Sequence, residues 1–278
     1  MTHASSTITA DGLWADVEAV RDRRPLVHNI TNYVVMNSTA NALLAIGASP
    51  VMAHAVDEAA DMAAIADAVV INIGTLSPPW VDAMHLAMRT AREHGTPIVL
   101  DPVGAGATSY RTTTAEQLIT DVAPTIIRGN ASEIMAVAAA GATTRGVDSN
   151  EESASAADAA TALVDRTGAV VVVTGATDLV ITADGATALD NGHPLMARVT
   201  GLGCTASALC GAFAAVQPDV SRAAAHAIAV SGIVGELAAG HAQGPGTLQL
   251  HLLDRLHDFT AAQVAEHLRV RDGAEVGA

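Results

Sequence analysis

The turn Gly201-Leu202-Gly203-Cys204 places a thiol at the start of a small-residue segment that is typical of a helix. The first backbone N–H groups of a helix have no partner within it and attract anions, so the turn predicts a phosphate site. The same position is expected to lower the pKa of the Cys204 thiol, which would then contact a reacting hydroxyl or act as a weak base. The second cysteine, Cys210, is interpreted as a small buried apolar residue.

The chain contains no lysine, because all 14 of its basic residues are arginine. A P-loop NTPase needs a lysine on the phosphates, a protein kinase of the usual kind needs a lysine on a strand, and a Schiff-base enzyme needs a lysine amine. Composition excludes all three classes. A phosphate-handling protein of this composition has to use backbone dipoles, arginine and metal.

Two carboxylates follow predicted strands. Asp101 ends an apolar run, and Glu133 lies three residues after Asn130 at the start of a predicted helix. One interpretation makes Asp101 a turn or capping residue and gives Asn130 and Glu133 a capping box. The other makes Asp101 and Glu133 hold Mg²⁺ through waters, as this ion commonly binds. The residues alone leave both open.

Arg128 ends the strand that precedes this second carboxylate. It forms either a structural salt bridge or, in a chain without lysine, the planar fork that holds a nucleotide phosphate. Three histidines near strand ends match no metal-binding pattern, and we interpret them as structural or as lying at the edge of a substrate site; they are His28, His54 and His193.

Short β-branched runs alternate with alanine-rich segments, which predicts a parallel sheet with helices on both faces and ligands at its carboxyl edge. We predict strands at 25–29, 49–52, 68–73, 97–101, 125–128 and 169–174, and an antiparallel pair at 179–182 and 195–199. We predict helices at 11–22, 34–46, 56–66, 78–94, 114–122, 131–140, 151–167, 204–216, 220–240 and 261–270. The helices after residue 204 are expected to cover one side of the sheet.

The 278 residues are interpreted as a single domain, 1–278, with flexible ends at 1–10 and 272–278. A net charge of −15 argues against nucleic acid or an anionic membrane as a partner. Neither a signal peptide nor a run long enough to span a bilayer is found in the sequence. We therefore expect a cytoplasmic protein.

Several motifs together resemble the hydroxyethylthiazole kinases, a family of ribokinase-like enzymes. The most specific are Asp-Pro-Val-Gly-Ala at 101–105, Arg-Gly-Asn-Ala-Ser-Glu at 128–133, and the glycine turn that ends in Cys204, where most ribokinase-like enzymes carry aspartate. The resemblance runs from about residue 25 to about residue 257, and its further blocks are 25–32, 39–41, 47–52, 72–76 and 173–175.

This resemblance implies a ribokinase-like α/β fold with a mostly parallel central sheet, helices on both faces and no separate lid domain. It also implies that ATP phosphorylates 4-methyl-5-(2-hydroxyethyl)thiazole with Mg²⁺, for thiamine salvage. By the family pattern the site residues are Met52, Gly201 and Asn32 for the thiazole, Arg128 and Thr174 for ATP, Asp101 and Glu133 for Mg²⁺, and Cys204 as the catalytic residue. The family further implies a homotrimer with active sites at subunit interfaces, where a neighbouring subunit would exclude water.

One residue departs from the family pattern. Leu202 stands where relatives are expected to have threonine or alanine, although its backbone N–H is retained. Three alternative hypotheses for the function remain open beside this resemblance. They are a pyrimidine or pyridoxal kinase of the same superfamily, a nucleotide-dependent dehydratase that repairs hydrated nicotinamide cofactors, and a binding protein without catalysis.

Overall fold

The protein is built on one nine-stranded sheet. The computed structural model describes residues 8–141 and 155–272. The strands are β1 (Leu26–Ile30), β2 (Ser49–Val51), β3 (Ala68–Asn72), β4 (Ile98–Asp101), β5 (Ile126–Asn130), β6 (Val170–Thr174), β7 (Asp178–Thr182), β8 (Gly185–Leu189) and β9 (Val270–Asp272).

The sheet has the order β2-β1-β3-β4-β5-β6-β7-β8-β9. Pairing is parallel from β2 through β6 and antiparallel from β6 to β9. The parallel strands at its centre are apolar without alternation, and β3 is buried along its whole length. Such strands pack against helices on both faces, which is why their sequences lack a polar side.

Eleven helices in the described residues flank the sheet. They are α1 (Ala10–Arg23), α2 (Met36–Ile46), α3 (Val56–Ile65), α4 (Pro78–His94), α5 (Ser109–Asp121), α6 (Ala131–Gly141), α7 (Ala156–Thr167), α8 (Leu202–Ala214), α9 (Val220–Ala239), α10 (Pro245–Asp258) and α11 (Ala261–His267). A short 3₁₀ helix, Pro194–Arg198, precedes α8.

The helices form two layers with separate apolar cores. Helices α3 to α7 pack on one face, and α1, α2 and α8 to α11 pack on the other, as predicted for the helices after residue 204. Small residues bring α8 close to the sheet: a Cβ at Gly211 would lie 2.7 Å from Cγ2 of Val70. Helix α8 is thereby held against the central strands, with its N-terminus toward their carboxyl ends, where Ser207 bonds to Asp101 and Gly203 lies beside Arg128.

Two predicted elements differ from the structure, and helix α10 and strands β8 and β9 were not predicted. Residues 195–199 are not a strand, because Pro194 opens a 3₁₀ helix there, and β7 instead pairs with β8 in a tight hairpin. Helix α10 was missed, since Pro245 and Gly246 indicate a turn, although proline is also favoured in the first turn of a helix. The helix predicted at 261–270 ends at His267, and the chain continues into β9.

The predicted flexible ends are only partly described. Residues 1–7 and 273–278 lie outside the described residues, as do residues 151–154 of the helix predicted at 151–167. Residues 8–10 are ordered, because Ile8 is buried and the Thr9 side chain accepts the N–H of Gly12 to cap α1. None of the helices in the described part of the chain combines the length and apolar character needed to cross a membrane.

Candidate active site

The carboxyl ends of the central strands bring the predicted site residues to one edge of the sheet. Asn72 of β3 is in register with Asp101 of β4, and Asn130 of β5 is in register with Thr174 of β6. Helix α8 begins against the same strands. This is the edge at which open α/β sheets bind their ligands.

A chain of buried side-chain hydrogen bonds links this edge to α8. The amide of Asn32 donates to Asn72 Oδ1 at 2.8 Å, and Asn72 Nδ2 donates to Asp101 Oδ2 at 2.7 Å. Ser207 Oγ of α8 donates to the same carboxylate oxygen at 2.9 Å. Asn32 Nδ2 also lies 3.5 Å from Sγ of Cys204. Asn32, Asp101 and Cys204 therefore form one cluster.

The Asp101 carboxylate is completely buried, and one of its oxygens is unpaired. Burial raises its pKa to about 6, against the opposing effects of the Arg128 charge and the hydrogen bonds from Ser207 and Asn72. Its Oδ1 atom has no hydrogen-bond partner within the described protein. A buried carboxylate oxygen without a partner is suited to a cation or to a donor on a ligand.

Glu133 is held rigidly at the start of α6. Its Oε2 accepts the N–H of Asn130 at 2.9 Å, Asn130 Oδ1 accepts the N–H of Glu133 at 2.9 Å, and Oε1 accepts the N–H of Gly104 at 2.8 Å. The reciprocal pair is a capping box, as one of the two interpretations predicted. A carboxylate retains further acceptor sites when each oxygen accepts one bond, so capping does not exclude a metal role.

Arg128 is not engaged in a structural salt bridge within the described residues. Its Nη2 donates to Thr174 Oγ1 at 2.7 Å, and its Nε has no partner. The guanidinium lies against the glycine turn, because a Cβ at Gly203 would be 2.6 Å from Nη1. Donors remain free on Arg128 for an anion at the start of α8.

The glycine turn caps α8 with a left-handed residue. Gly201 has φ of +84°, and a Cβ there would lie 2.5 Å from Cγ1 of Val35, so both conformation and space require glycine. No side chain in the described part of the chain caps this helix, so its first N–H groups remain available. The N-terminus of α8 therefore offers backbone donors to an anion, and this site needs no lysine.

The expected lowering of the Cys204 pKa is wrong. Burial raises the pKa of this thiol to about 11, and the nearby Asp101 charge adds to the increase. Hydrogen bonds from Asn72 and Asn32 and the Arg128 charge oppose the increase without reversing it. Cys204 is consequently a neutral thiol at physiological pH. Cys210 is buried, as predicted, and burial raises its pKa to about 12.

A cavity of about 690 Å³, here called the Arg128 cavity, opens beside the glycine turn. Its walls come from β5, β6, the segment 191–199, the start of α8 and the middle of α9. Asp178 also lines it, and burial raises the pKa of this carboxyl to about 6 against the effects of the Gly175 N–H and Arg128. The cavity combines arginine and backbone donors with an apolar remainder, as small-molecule sites do.

Six of the predicted residues fall into two groups, and Glu133, which is bonded to Asn130 and Gly104, and Met52 lie outside both. Asn32, Asp101 and Cys204 form the hydrogen-bonded cluster, whereas Gly201, Arg128 and Thr174 line the Arg128 cavity. Met52 directly follows β2, the edge strand of the sheet, which pairs with β1. Nearby, the rings of His54 and Tyr33 pack on Trp80 at centroid distances of 4.7 and 4.4 Å.

Three polar residues of the site were not among the predicted ones. Asn72 ends an apolar strand just as Asp101 does, so the same rule would have found it. Ser207 lies three residues after Cys204 and thus on the same face of α8. Asp178 gave no comparable signal, because its place in the cavity depends on the hairpin of β7 and β8.

Comparison with solved structures identifies the class of protein. A ribokinase-like superfamily protein from Enterococcus faecalis V583 has a similar fold, with a TM-score of 0.61 over 94% of this chain and 92% of that one, at 12% identity. At this identity the likeness concerns the fold alone. The protein has a ribokinase-like α/β fold, as the sequence predicted.

Sequence comparison then gives the family. The model of the hydroxyethylthiazole kinase family matches residues 17–262. A hydroxyethylthiazole kinase of Syntrophus aciditrophicus (strain SB) is 60% identical over 96% of this chain and 99% of its own length. The structure of hydroxyethylthiazole kinase from Pyrococcus horikoshii OT3 has a TM-score of 0.87 at 43% identity, over 94% of this chain and 99% of that one. The chain belongs to the hydroxyethylthiazole kinase family.

Proposed function

We propose that this enzyme transfers the γ-phosphoryl group of ATP to the hydroxyl of 4-methyl-5-(2-hydroxyethyl)thiazole, forming the thiazole phosphate and ADP for thiamine salvage. Family membership supplies the reaction class and the acceptor. One structural observation carries the assignment to this site: the Arg128 cavity ends at the glycine turn, beside the cluster of Asn32, Asp101 and Cys204. Donor and acceptor substrates can meet there.

The ATP phosphates are held by Arg128 and Thr174 from one side and by the N-terminus of α8 from the other. Arg128 keeps free guanidinium donors, which suit a bidentate phosphate contact. The N–H groups of residues 201–204 stabilise the transferring phosphoryl oxygens as an oxyanion hole does. The thiazole lies against Met52, Gly201 and Asn32, with its hydroxyl near Cys204.

Asp101 and Glu133 are the residues we propose for Mg²⁺. The unpaired buried Oδ1 of Asp101 and the remaining acceptor sites of Glu133 fit a hard cation that prefers oxygen ligands. Mg²⁺ commonly keeps several of its waters, so one or two carboxylates are enough to hold it. When bound, Mg²⁺ supplies charge neutralisation to the phosphates.

Cys204 contributes position and polarity, and it does not act as a base. A thiol with a pKa of about 11 cannot accept a proton from an alcohol at neutral pH to any useful extent. Phosphoryl transfer passes through a loose transition state in which early deprotonation of the nucleophile matters little. The neutral Cys204 thiol therefore packs beside the hydroxyl, and Asn32 fixes its orientation.

Replacing Cys204 by alanine is expected to lower kcat about tenfold and to leave the shape of the pH–rate profile unchanged between about pH 6.5 and 9. The reason is that the thiol does not titrate in this range. The measurement is kcat against pH for the wild type, for Cys204→Ala and for the conservative Cys204→Ser. A rising limb near the ordinary thiol pKa that disappears in both variants would show that a thiolate is the base after all.

We also propose that the chain is a single domain that forms a homotrimer in the cytoplasm, where ATP is available, with each active site at a subunit interface. Tyr33 and Val34 directly follow Asn32, and they are 68% and 64% exposed. Large apolar side chains beside a site are suited to burial by a neighbouring subunit. A solution mass of three times 28.1 kDa by light scattering is the expected result, and a stable active monomer would contradict it.

The function is tested by measuring ADP release with Mg-ATP and each of three acceptors. We expect turnover with the hydroxyethylthiazole, at least a hundredfold less with a pyrimidine alcohol, and only background without acceptor. Comparable turnover with the pyrimidine would favour a pyrimidine kinase. ADP and phosphate released with a hydrated nicotinamide cofactor, and none with the thiazole, would favour the dehydratase.

A further inference from the structure

We infer that Arg269 is a positioning residue for nucleotide binding, because it holds Glu236 and the segment 190–193, which forms one wall of the Arg128 cavity. The inference rests on the proposed function, since it takes the occupant of this cavity to be ATP. The family model ends its match at residue 262, so Arg269 and the C-terminal strand β9 lie beyond it. Nothing in the sequence motifs pointed to this residue.

The wall packs closely on α9. Asn191, Gly192 and His193 line the cavity together with Ser231 and Gly232 of α9. A Cβ at Gly232 would lie 2.6 Å from Cβ of Asn191 and 2.9 Å from its carbonyl atoms, so the segment fills a notch that glycine leaves open. The position of the wall therefore depends on the contacts that hold residues 190–193 against α9.

Glu236, one turn further along α9, binds the wall directly. Its Oε1 accepts the backbone N–H of Gly192 at 2.6 Å and the amide of Asn191 at 3.2 Å. The side chain of Glu236 is only 14% exposed, and the guanidinium of Arg269 pairs with both of its oxygens. A largely buried carboxylate needs such a partner, because an uncompensated charge there is strongly unfavourable.

The backbone around Arg269 binds the same wall from the other side. The N–H of Arg269 donates to Asn191 Oδ1 at 3.0 Å, and Asn191 Nδ2 donates to the carbonyl of His267 at 2.7 Å. The Arg269 guanidinium also donates to the carbonyl of Asp190, at 3.1 Å from Nε and 2.8 Å from Nη2. A single side chain thus joins α9, the wall and the C-terminal segment.

Loss of the Arg269 side chain removes the guanidinium that pairs with Glu236, leaving His267 Nδ1 at 3.8 Å from Oε2 of Glu236, and it removes two donors to the Asp190 carbonyl. Asn191 keeps its hydrogen bonds to the backbone of residues 267 and 269, but the wall is held less firmly and can shift. The cluster around Asp101 and Cys204 belongs to other elements and keeps its own hydrogen bonds. A site whose wall is no longer pre-organised binds its ligand more weakly, because ordering the wall on binding then costs free energy. The consequence expected is a defect in nucleotide affinity and not in the chemical step.

The test compares the wild type with Arg269→Ala and Arg269→Lys. Calorimetry with a non-hydrolysable ATP analogue is expected to show about tenfold weaker binding to Arg269→Ala and partial recovery in Arg269→Lys. In steady-state kinetics the KM for ATP rises by a similar factor, whereas kcat at saturating ATP stays within about twofold and the KM for the thiazole alcohol is unchanged. A general loss of structure would instead lower kcat as well.

Arg89→Ala is the matched control, because Arg89 is 57% exposed and pairs with Asp121 on α5, away from the cavity. It should leave nucleotide affinity unchanged. If folded Arg269→Ala binds the ATP analogue as tightly as the wild type does, the inference is contradicted. If Arg269→Ala does not fold, the inference is contradicted when both Arg269→Lys and Glu236→Gln bind the analogue as tightly as the wild type does. A wild type that binds no ATP analogue contradicts the proposed function itself.

Discussion

An Asp101→Asn variant is expected to lose turnover by about 10²–10³-fold and yet to unfold less readily near pH 7.5. Turnover falls because the variant loses the charge that we propose faces Mg²⁺ and the phosphates. Stability rises because a buried carboxylate whose pKa is raised from 3.8 to about 6 is charged near pH 7.5 at a cost of about 3 kcal/mol. The amide still accepts from Asn72 and Ser207.

The sign of this effect depends on pH. Because the folded state holds the Asp101 proton more tightly, this group favours folding most below its unfolded pKa, and the contribution is lost as pH rises through about 6. The variant lacks this titration. The asparagine places an amide donor without a partner at the Oδ1 position, which lowers the free energy of unfolding by about 1–2 kcal/mol. The variant is therefore expected to be more stable than the wild type by about 1–2 kcal/mol near pH 7.5, and not to be more stable near pH 4.

The difference in the free energy of unfolding between the wild type and Asp101→Asn is measured by urea unfolding of both proteins in EDTA at several pH values. Asp61→Asn, which changes an exposed acid on α3, is the control and should alter neither stability nor turnover. Added Mg²⁺ and ATP analogue should reduce the stability advantage of Asp101→Asn, since ligands that bind the folded wild type stabilise it. A variant that is less stable than wild type near pH 7.5, or one with full activity, would overturn the assignment of Asp101.

Arg128→Ala is expected to raise the KM for ATP about 30- to 100-fold with a smaller effect on kcat. The variant loses the charged fork beside the glycine turn, and Arg128→Lys should recover little, because an ammonium group cannot make two parallel bonds to one phosphate. The KM for the thiazole alcohol should change little. An unchanged KM for ATP in Arg128→Ala would remove this residue from the phosphate site.

A substitution at Gly203 tests independently whether the Arg128 guanidinium beside the glycine turn binds ATP. A Cβ at this position would lie 2.6 Å from Nη1 of Arg128, so Gly203→Ala should displace the guanidinium and raise the KM for ATP as well. In the Arg128→Ala background the second change should add much less, because the two residues are in contact. Gly246→Ala on α10, where a Cβ would meet nothing within 4 Å, is the matched control.

The sequence predicted the location of candidate site residues well where that location follows from their position at the end of a strand. Asp101, Arg128 and Thr174 were expected at one edge because parallel strands deliver their carboxyl ends there, and the structure has β4, β5 and β6 side by side. Their roles, and the anion site that glycine spacing indicates at the start of α8, stay predictions. The family motifs supplied the substrate, which no local pattern of apolar or polar residues encodes.

The failures concern properties that depend on distant residues. The pKa of Cys204 follows from burial and from the charge of Asp101, and these outweigh the helix terminus that the sequence makes visible. Residues 195–199 have the composition of a strand, but the sheet edge beside β7 is taken by β8. The contacts of Arg269 join segments about 30 to 80 residues apart, so no local pattern could indicate them.

The measurement that tests the central claim most directly is the mass-spectrometric identification of the product formed from Mg-ATP and the hydroxyethylthiazole. The claim predicts that thiazole phosphate accumulates in step with ADP in the wild type and is nearly absent with Asp101→Asn. Release of ADP with inorganic phosphate and no phosphorylated thiazole, from folded enzyme that binds ATP, would contradict it.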